Sequence, residues 1–211
     1  ERNFMKKILV CGHVDHGKTT LIQAMNAYFK EYYNLDTEEN EGGGLNRIGR
    51  MHSIFSLGGT DYDYFDLPGE ADYEDFFENP DNHVDAAVLV CAACDGALPG
   101  TIAAMKRLAK KGVSKIVVYL SKIDIADDED LIMFMEEDLR ELLDQNGFGS
   151  DITFIKGKVQ GLLDALFPEE PARWRIIFNN ETAPQPIKDR NVLNPLAAPI
   201  VKLIQAVDGL F

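Results

Sequence analysis

The octet Gly12-His-Val-Asp-His-Gly17-Lys18-Thr19 lies between the apolar run 8–11 and a helical pattern over 18–32. It fits G-x-x-x-x-G-K-[ST] in the context that motif requires, a buried strand running into a helix. Gly12 and Gly17 permit a tight wrap, so that the N–H groups of His13, Val14, Asp15 and His16 converge on phosphate oxygens. Lys18 supplies charge to the β and γ oxygens and Thr19 supplies a hydroxyl to magnesium. The helix that also carries Thr20 turns its positive end toward the same place. A loop of this kind selects a nucleoside-phosphate-binding α/β fold and leaves the base undecided.

The rest of the chain agrees with that fold. Strand patterns at 8–11, 52–57, 61–66, 86–91, 115–120 and 152–155 alternate with helical stretches at 18–32, 101–111, 128–145 and 199–207. This predicts a P-loop NTPase three-layer fold, with a mostly parallel sheet of about six strands and helices on both faces. Gly58-Gly59 is a two-residue hairpin signal between the second and third strands. The polar stretch 34–51 reads as a loop. Six of the nine prolines fall within 168–199, so 168–198 is expected to be an irregular excursion before the last helix, and 1–211 one nucleotide-binding domain.

Composition narrows the partners. A net charge of −14 opposes a phosphate-tracking surface, so nucleic acid is not expected as a main partner, although a local nest of N–H groups still binds phosphate. With no run of about 18 apolar residues and no secretory leader pattern, the expectation is a cytoplasmic chain with no membrane association. Three cysteines, Cys11, Cys91 and Cys94, do not make a disulfide framework. Cys91-x-x-Cys94 runs off a strand instead of opening a helix and reads as core and loop cysteine. His13 and His16 lack the third ligand that a metal pair needs. The acidic run 127–130 reads as the cap of a helix. The segment holding Arg173, Trp174, Arg175 and Phe178 is either a protein-partner element or local packing.

Base selection is assigned to Ser121-Lys122-Ile123-Asp124, which follows a buried strand at the carboxyl edge of the sheet. The carboxylate of Asp124 can accept from both N1–H and the exocyclic amine of guanine, a pair of donors that adenine lacks. Lys122 can lay its apolar stem along the base. The expected ligands are therefore GTP or GDP with Mg2+.

With these motifs in order, the chain resembles the translational GTPases, most closely the nucleotide domain of elongation factor Tu. The resemblance spans 7–158, with a return at 199–207. It rests on Gly12-His-Val-Asp-His-Gly-Lys-Thr-Thr20, Asp66-Leu-Pro-Gly69, Ala71-Asp72-Tyr73, Asp85-Ala-Ala-Val-Leu-Val90, Asp95-Gly96, Gly112-Val113, Lys122-Ile-Asp124 and Arg140-Glu-Leu-Leu143. It implies that Asp66 holds magnesium through water, that Gly69 offers its N–H to the γ-phosphate, and that Asp15 helps place a monovalent cation.

Four departures from the family pattern bear on activity. Glu70 stands in the place of the catalytic histidine; a carboxylate can accept a proton there but is repelled by the γ-phosphate, so hydrolysis is expected to be slow. Gly49 stands where the loop threonine that senses magnesium is expected, with Thr37 or Ser53 as substitutes. Ser121 replaces an asparagine, shortening the link between base loop and phosphate loop. Lys158 follows Gly157 where Ser-Ala is expected, at the second guanine contact. The two β-barrel domains of elongation factor Tu have no counterpart in these 211 residues, so the expectation is a stand-alone G domain that is not a tRNA carrier. The alternative is a pseudo-GTPase that holds nucleotide without turnover.

Overall fold

The computed structural model describes residues 5–33, 46–52, 61–67, 70–126, 128–166 and 190–211. Strands β1 (Lys6–Gly12), β2 (Asn46–His52), β3 (Asp61–Asp66), β4 (Ala86–Ala92), β5 (Ile116–Ser121) and β6 (Thr153–Lys156) form one sheet in the order β2-β3-β1-β4-β5-β6. All neighbours are parallel except β2, which runs antiparallel to β3. The α/β expectation therefore holds, with a six-stranded sheet among the described residues. Among the described residues the helices are α1 (Lys18–Tyr33), α2 (Glu70–Glu78), α3 (Pro99–Lys110), α4 (Ile123–Ala126), α5 (Glu129–Gln145), α6 (Gln160–Leu166) and α7 (Arg190–Asp208).

Every residue of β4 and β5 is buried, as expected of strands covered on both faces. Period-two alternation divides their side chains between two cores. Ile8, Val10, Val88, Val90, Val117 and Tyr119 meet Leu21, Met25 and Tyr28 of α1, Leu162, Leu163 and Leu166 of α6, and Ile200, Leu203, Ile204 and Val207 of α7. On the opposite face, Leu9, Cys11, Leu89, Cys91, Val118 and Leu120 meet Met105 and Leu108 of α3 and Leu139 and Leu143 of α5. The helices thereby form the outer layers. The carboxyl ends of β1, β3, β4 and β5 come together at one edge of the sheet, where such folds place ligands.

Two sequence expectations need correction. Residues 46–51, read as the end of a loop, and His52, the one described residue of the strand expected at 52–57, form the second strand, Asn46–His52. Its pairing with β3 slips between Ile48 and Met51, and such an irregular edge strand does not need the apolar alternation that marks a strand in sequence. The last helix begins at Arg190, so residues 190–198 are helical and not part of an irregular excursion. Pro195 and Pro199 lie inside it, their lost N–H donors tolerated because Ala197, Ile200, Leu203 and Ile204 bury its apolar face. Gly58-Gly59 and residues 168–189 lie outside the described residues. Among the described residues no helix is long and apolar enough to cross a membrane.

Candidate phosphate and base site

The phosphate loop starts where β1 can no longer carry a side chain. Gly12 has φ 140°, and a Cβ there would collide with the carbonyl oxygen of Val90 on β4. Asp15 (φ 63°) and Gly17 (φ 92°) adopt left-handed conformations as the chain wraps, which aspartate tolerates better than most residues. Lys18 Nζ donates to His13 O at 2.9 Å, and the first helical bond runs from Leu21 N to Gly17 O at 2.8 Å. The lysine ammonium is thus held against the loop backbone, whereas Val14 and Asp15 are exposed at its tip.

Loop and third strand meet at Thr19 and Asp66. Thr19 Oγ1 donates to Asp66 Oδ2 at 3.1 Å, and Tyr73 Oη lies 3.5 Å from Asp66 Oδ1 and 3.4 Å from Val10 O. Asp66 is 2% exposed. Burial pushes its pKa up to about 6 against the pull of Lys18 and of its hydroxyl and N–H donors. No basic group forms an ion pair with it among the described residues. A buried carboxylate beside a hydroxyl, with its charge uncompensated in contact, fits a hard divalent cation. Sequence reasoning missed Tyr73 as a partner; its place on the helix that follows Asp66 was the available signal.

His16 is 1% exposed and meets the ring of His13 edge-on, with centroids 5.2 Å apart. Its Nε2 is 3.9 Å from an Asp95 carboxylate oxygen, and neither ring nitrogen has a hydrogen-bond partner among the described residues. Burial, aided by His13, pushes its pKa down to about 4, so the ring is neutral. Among the described residues no three ligating side chains gather around a metal position. Cys91 is fully buried with Sγ 2.9 Å from Gly96 O, and burial drives its thiol up to about 12, the opposite of a reactive pair.

The base loop joins this cup through Ser121. Its Oγ lies 2.6 Å from His16 O, with Cys91 O at 3.4 Å, so the serine still ties the end of β5 to the phosphate loop where an asparagine is usual. Lys122 follows with φ 54°, and Asp124 is exposed in the single turn of α4. Gly157 N donates to Leu120 O at 2.9 Å, which sets the loop carrying the exposed Lys158 beside the end of β5. A Cβ at Gly157 would strike Tyr119 Oη and Pro199, so the seat requires glycine.

The positions expected to act as switches are only partly described. Glu70 is the first residue of α2, and Gly49 falls at the irregularity in β2. Gly69, Thr37 and Ser53 lie outside the described residues. At α5, Asp128 caps the helix by accepting from Asp130 N at 3.0 Å and Leu131 N at 3.1 Å. A cavity of about 600 Å³ between α2 and α3, lined by Glu74, Phe77, Glu78, Arg107, Lys110 and Lys111, shares no residue with the phosphate loop.

This arrangement, a glycine-bounded loop between β1 and α1 with a buried aspartate at the end of β3, is accompanied by a match over residues 3–171 to the family described as the elongation factor Tu GTP binding domain. The match covers every element from β1 to α6. The chain belongs to that family.

Proposed function

We propose that this domain binds GTP and GDP with Mg2+ and hydrolyses GTP slowly to GDP and phosphate. What supports the reading above all is the Thr19 hydroxyl 3.1 Å from the buried Asp66 carboxylate, joining phosphate loop and third strand at one point. Lys18 neutralises phosphate charge, and the N–H groups from His13 to Thr20 line the cup. Thr19 and Asp66 would hold the magnesium, Asp66 through water, and the ion would supply positive charge to the phosphate oxygens there. Gly69 supports the γ-phosphate. Asp124 reads guanine, Lys122 covers the base, and the loop at Lys158 closes over it. Glu70 positions the attacking water with a carboxylate that the γ-phosphate repels, which keeps turnover slow.

A second reading, a module that holds nucleotide without turnover, is favoured by Glu70 and by Gly49, which has no hydroxyl. Competition of GDP and ADP against a fluorescent GDP tests the base assignment: GDP should win by at least about a hundredfold, and equal affinity removes guanine from the account. Single-turnover phosphate release separates the two readings. Wild type should turn over slowly, Glu70→Ala more slowly still, and Glu70→His faster. No release from wild type, with release restored by Glu70→His, establishes the holding module.

A further inference from the structure

Helix α3 lacks a cap of its own. Its N-cap residue is Leu98, whose side chain accepts no hydrogen bond, and its first residue is Pro99, which has no N–H. The remaining first-turn donors can be accounted for one by one. Thr101 N and Ile102 N donate to Leu98 O at 2.9 and 3.2 Å. Gly100 N donates to the imidazole of His13, at 3.2 Å from Nδ1, across 87 positions of sequence. A Ser, Asp or Asn side chain at an N-cap normally supplies this acceptor. Here a residue of the phosphate loop supplies it from another element.

We propose that His13 is a positioning residue, a cap lent to α3 that latches the phosphate loop in its nucleotide-holding shape, with Gly100 as the keeper of the latch. The backbone of His13 explains why this matters to the nucleotide. Its carbonyl oxygen takes the Lys18 ammonium at 2.9 Å and His16 N at 3.4 Å. The bond from Gly100 therefore fixes the residue whose carbonyl locates the phosphate-binding lysine. Gly100 admits no side chain, because a Cβ would strike His13 Nδ1 and crowd His13 Cα at 3.1 Å. A loop pre-shaped in this way loses little freedom on binding, and loosening it accelerates release more than it slows capture.

The inference rests on the proposed guanine-nucleotide binding. Displacement of fluorescent GDP, followed by stopped flow, tests both separately. Gly100→Ala and His13→Ala should each release GDP about tenfold faster or more, with association within about twofold of wild type. The double variant should be no faster than either single one, because both remove the same contact. His13→Asn keeps an acceptor at the δ position and should restore release to within about threefold of wild type; His13→Gln, whose acceptor lies one atom further out, should not. Should Gly100→Ala fail to fold, the three His13 variants carry the test alone. GDP release at the wild-type rate in His13→Ala, rates that multiply in the double variant, or equal behaviour of His13→Asn and His13→Gln overturns the latch. Wild type that fails to take up GDP overturns the nucleotide reading, and the latch with it.

Discussion

The two ends of the candidate site are built in different ways. At the phosphate end the fold leaves little freedom: Gly12 is pressed against β4, Asp66 and His16 are buried, and Thr19, Lys18 and Tyr73 are all hydrogen-bonded. At the base end Asp124 and Lys158 are exposed, and α4 is four residues long with no buried side chain. The base loop is held where the strands end, by Ser121 on His16 and by Gly157 on Leu120. The proposed phosphate cup is thus anchored in the core, and the proposed base-reading loop hangs from it by a few bonds. Substitutions at the first end should cost stability and all nucleotide binding together. Substitutions at the second should cost discrimination and leave the fold intact.

The largest effect is expected at Gly12, where both costs combine. Gly12→Ala forces a side chain against the backbone of β4 in a left-handed conformation. Destabilisation of about 3 kcal/mol, or roughly 10 °C in melting temperature, should accompany loss of GDP binding. Normal melting with normal binding would show that the cup is not part of the core. Asp124→Asn should do the reverse. Replacing one accepting oxygen by an NH2 donor should weaken GDP by on the order of a hundredfold and favour xanthosine diphosphate, whose base carries an oxygen where guanine has its amine. The melting temperature should stay within about 2 °C, because Asp124 is exposed. A large loss of stability would contradict the division between the two ends.

Ser121 joins them and should show an intermediate effect. Ser121→Ala leaves His16 O without its 2.6 Å donor in a buried position. The cost should be about 1–2 kcal/mol of stability. Unfolding in urea reads the first effect, and a fall in affinity of about tenfold for GDP, with a smaller one for inorganic pyrophosphate, reads the second. Equal losses for both ligands would mean that the serine supports only the cup.

Legibility in the sequence followed the same division. The buried strands β1, β4 and β5 announced themselves as continuous apolar runs, because parallel strands covered on both sides need no polar face. The phosphate loop was legible because its chemistry demands glycines, a lysine and a hydroxyl at fixed spacing. The start of edge strand β2 was read as loop, since Asn46, Arg47 and Arg50 give it the composition of one. Helix α7 was cut short because Pro195 and Pro199 are breakers in isolation, and only packing against the sheet overrides that preference. The cap that His13 gives Gly100 was far harder to see, because it joins residues 87 positions apart whose proximity exists only once the sheet order is set. Glycine directly after Pro99 was the one local hint of a close approach.

The smallest effect in the wild-type protein should come from two larger ones of opposite sign within the phosphate end. Burial raises the Asp66 pKa to about 6, so without magnesium the folded state holds that proton more tightly than the unfolded chain. Its contribution to stability therefore rises as pH falls through about 6 and is complete below the model-peptide range near 4. Burial lowers the His16 pKa to about 4, so the folded state holds that proton less tightly. Its contribution is present in full above the ordinary histidine range near 6.5 and is lost as pH falls toward 4. The two windows overlap, and the slopes oppose one another, so these groups together should leave the melting temperature of the magnesium-free protein almost flat between pH 6.5 and about 4.5. Asp66→Asn removes one slope and should make the protein less stable as pH falls. His16→Gln removes the other and should make it more stable over the same range. Melting curves in chelator at half-unit pH steps read both. Two variants sloping in the same direction would show that burial does not govern these side chains and that the phosphate end is less closed than the contacts imply.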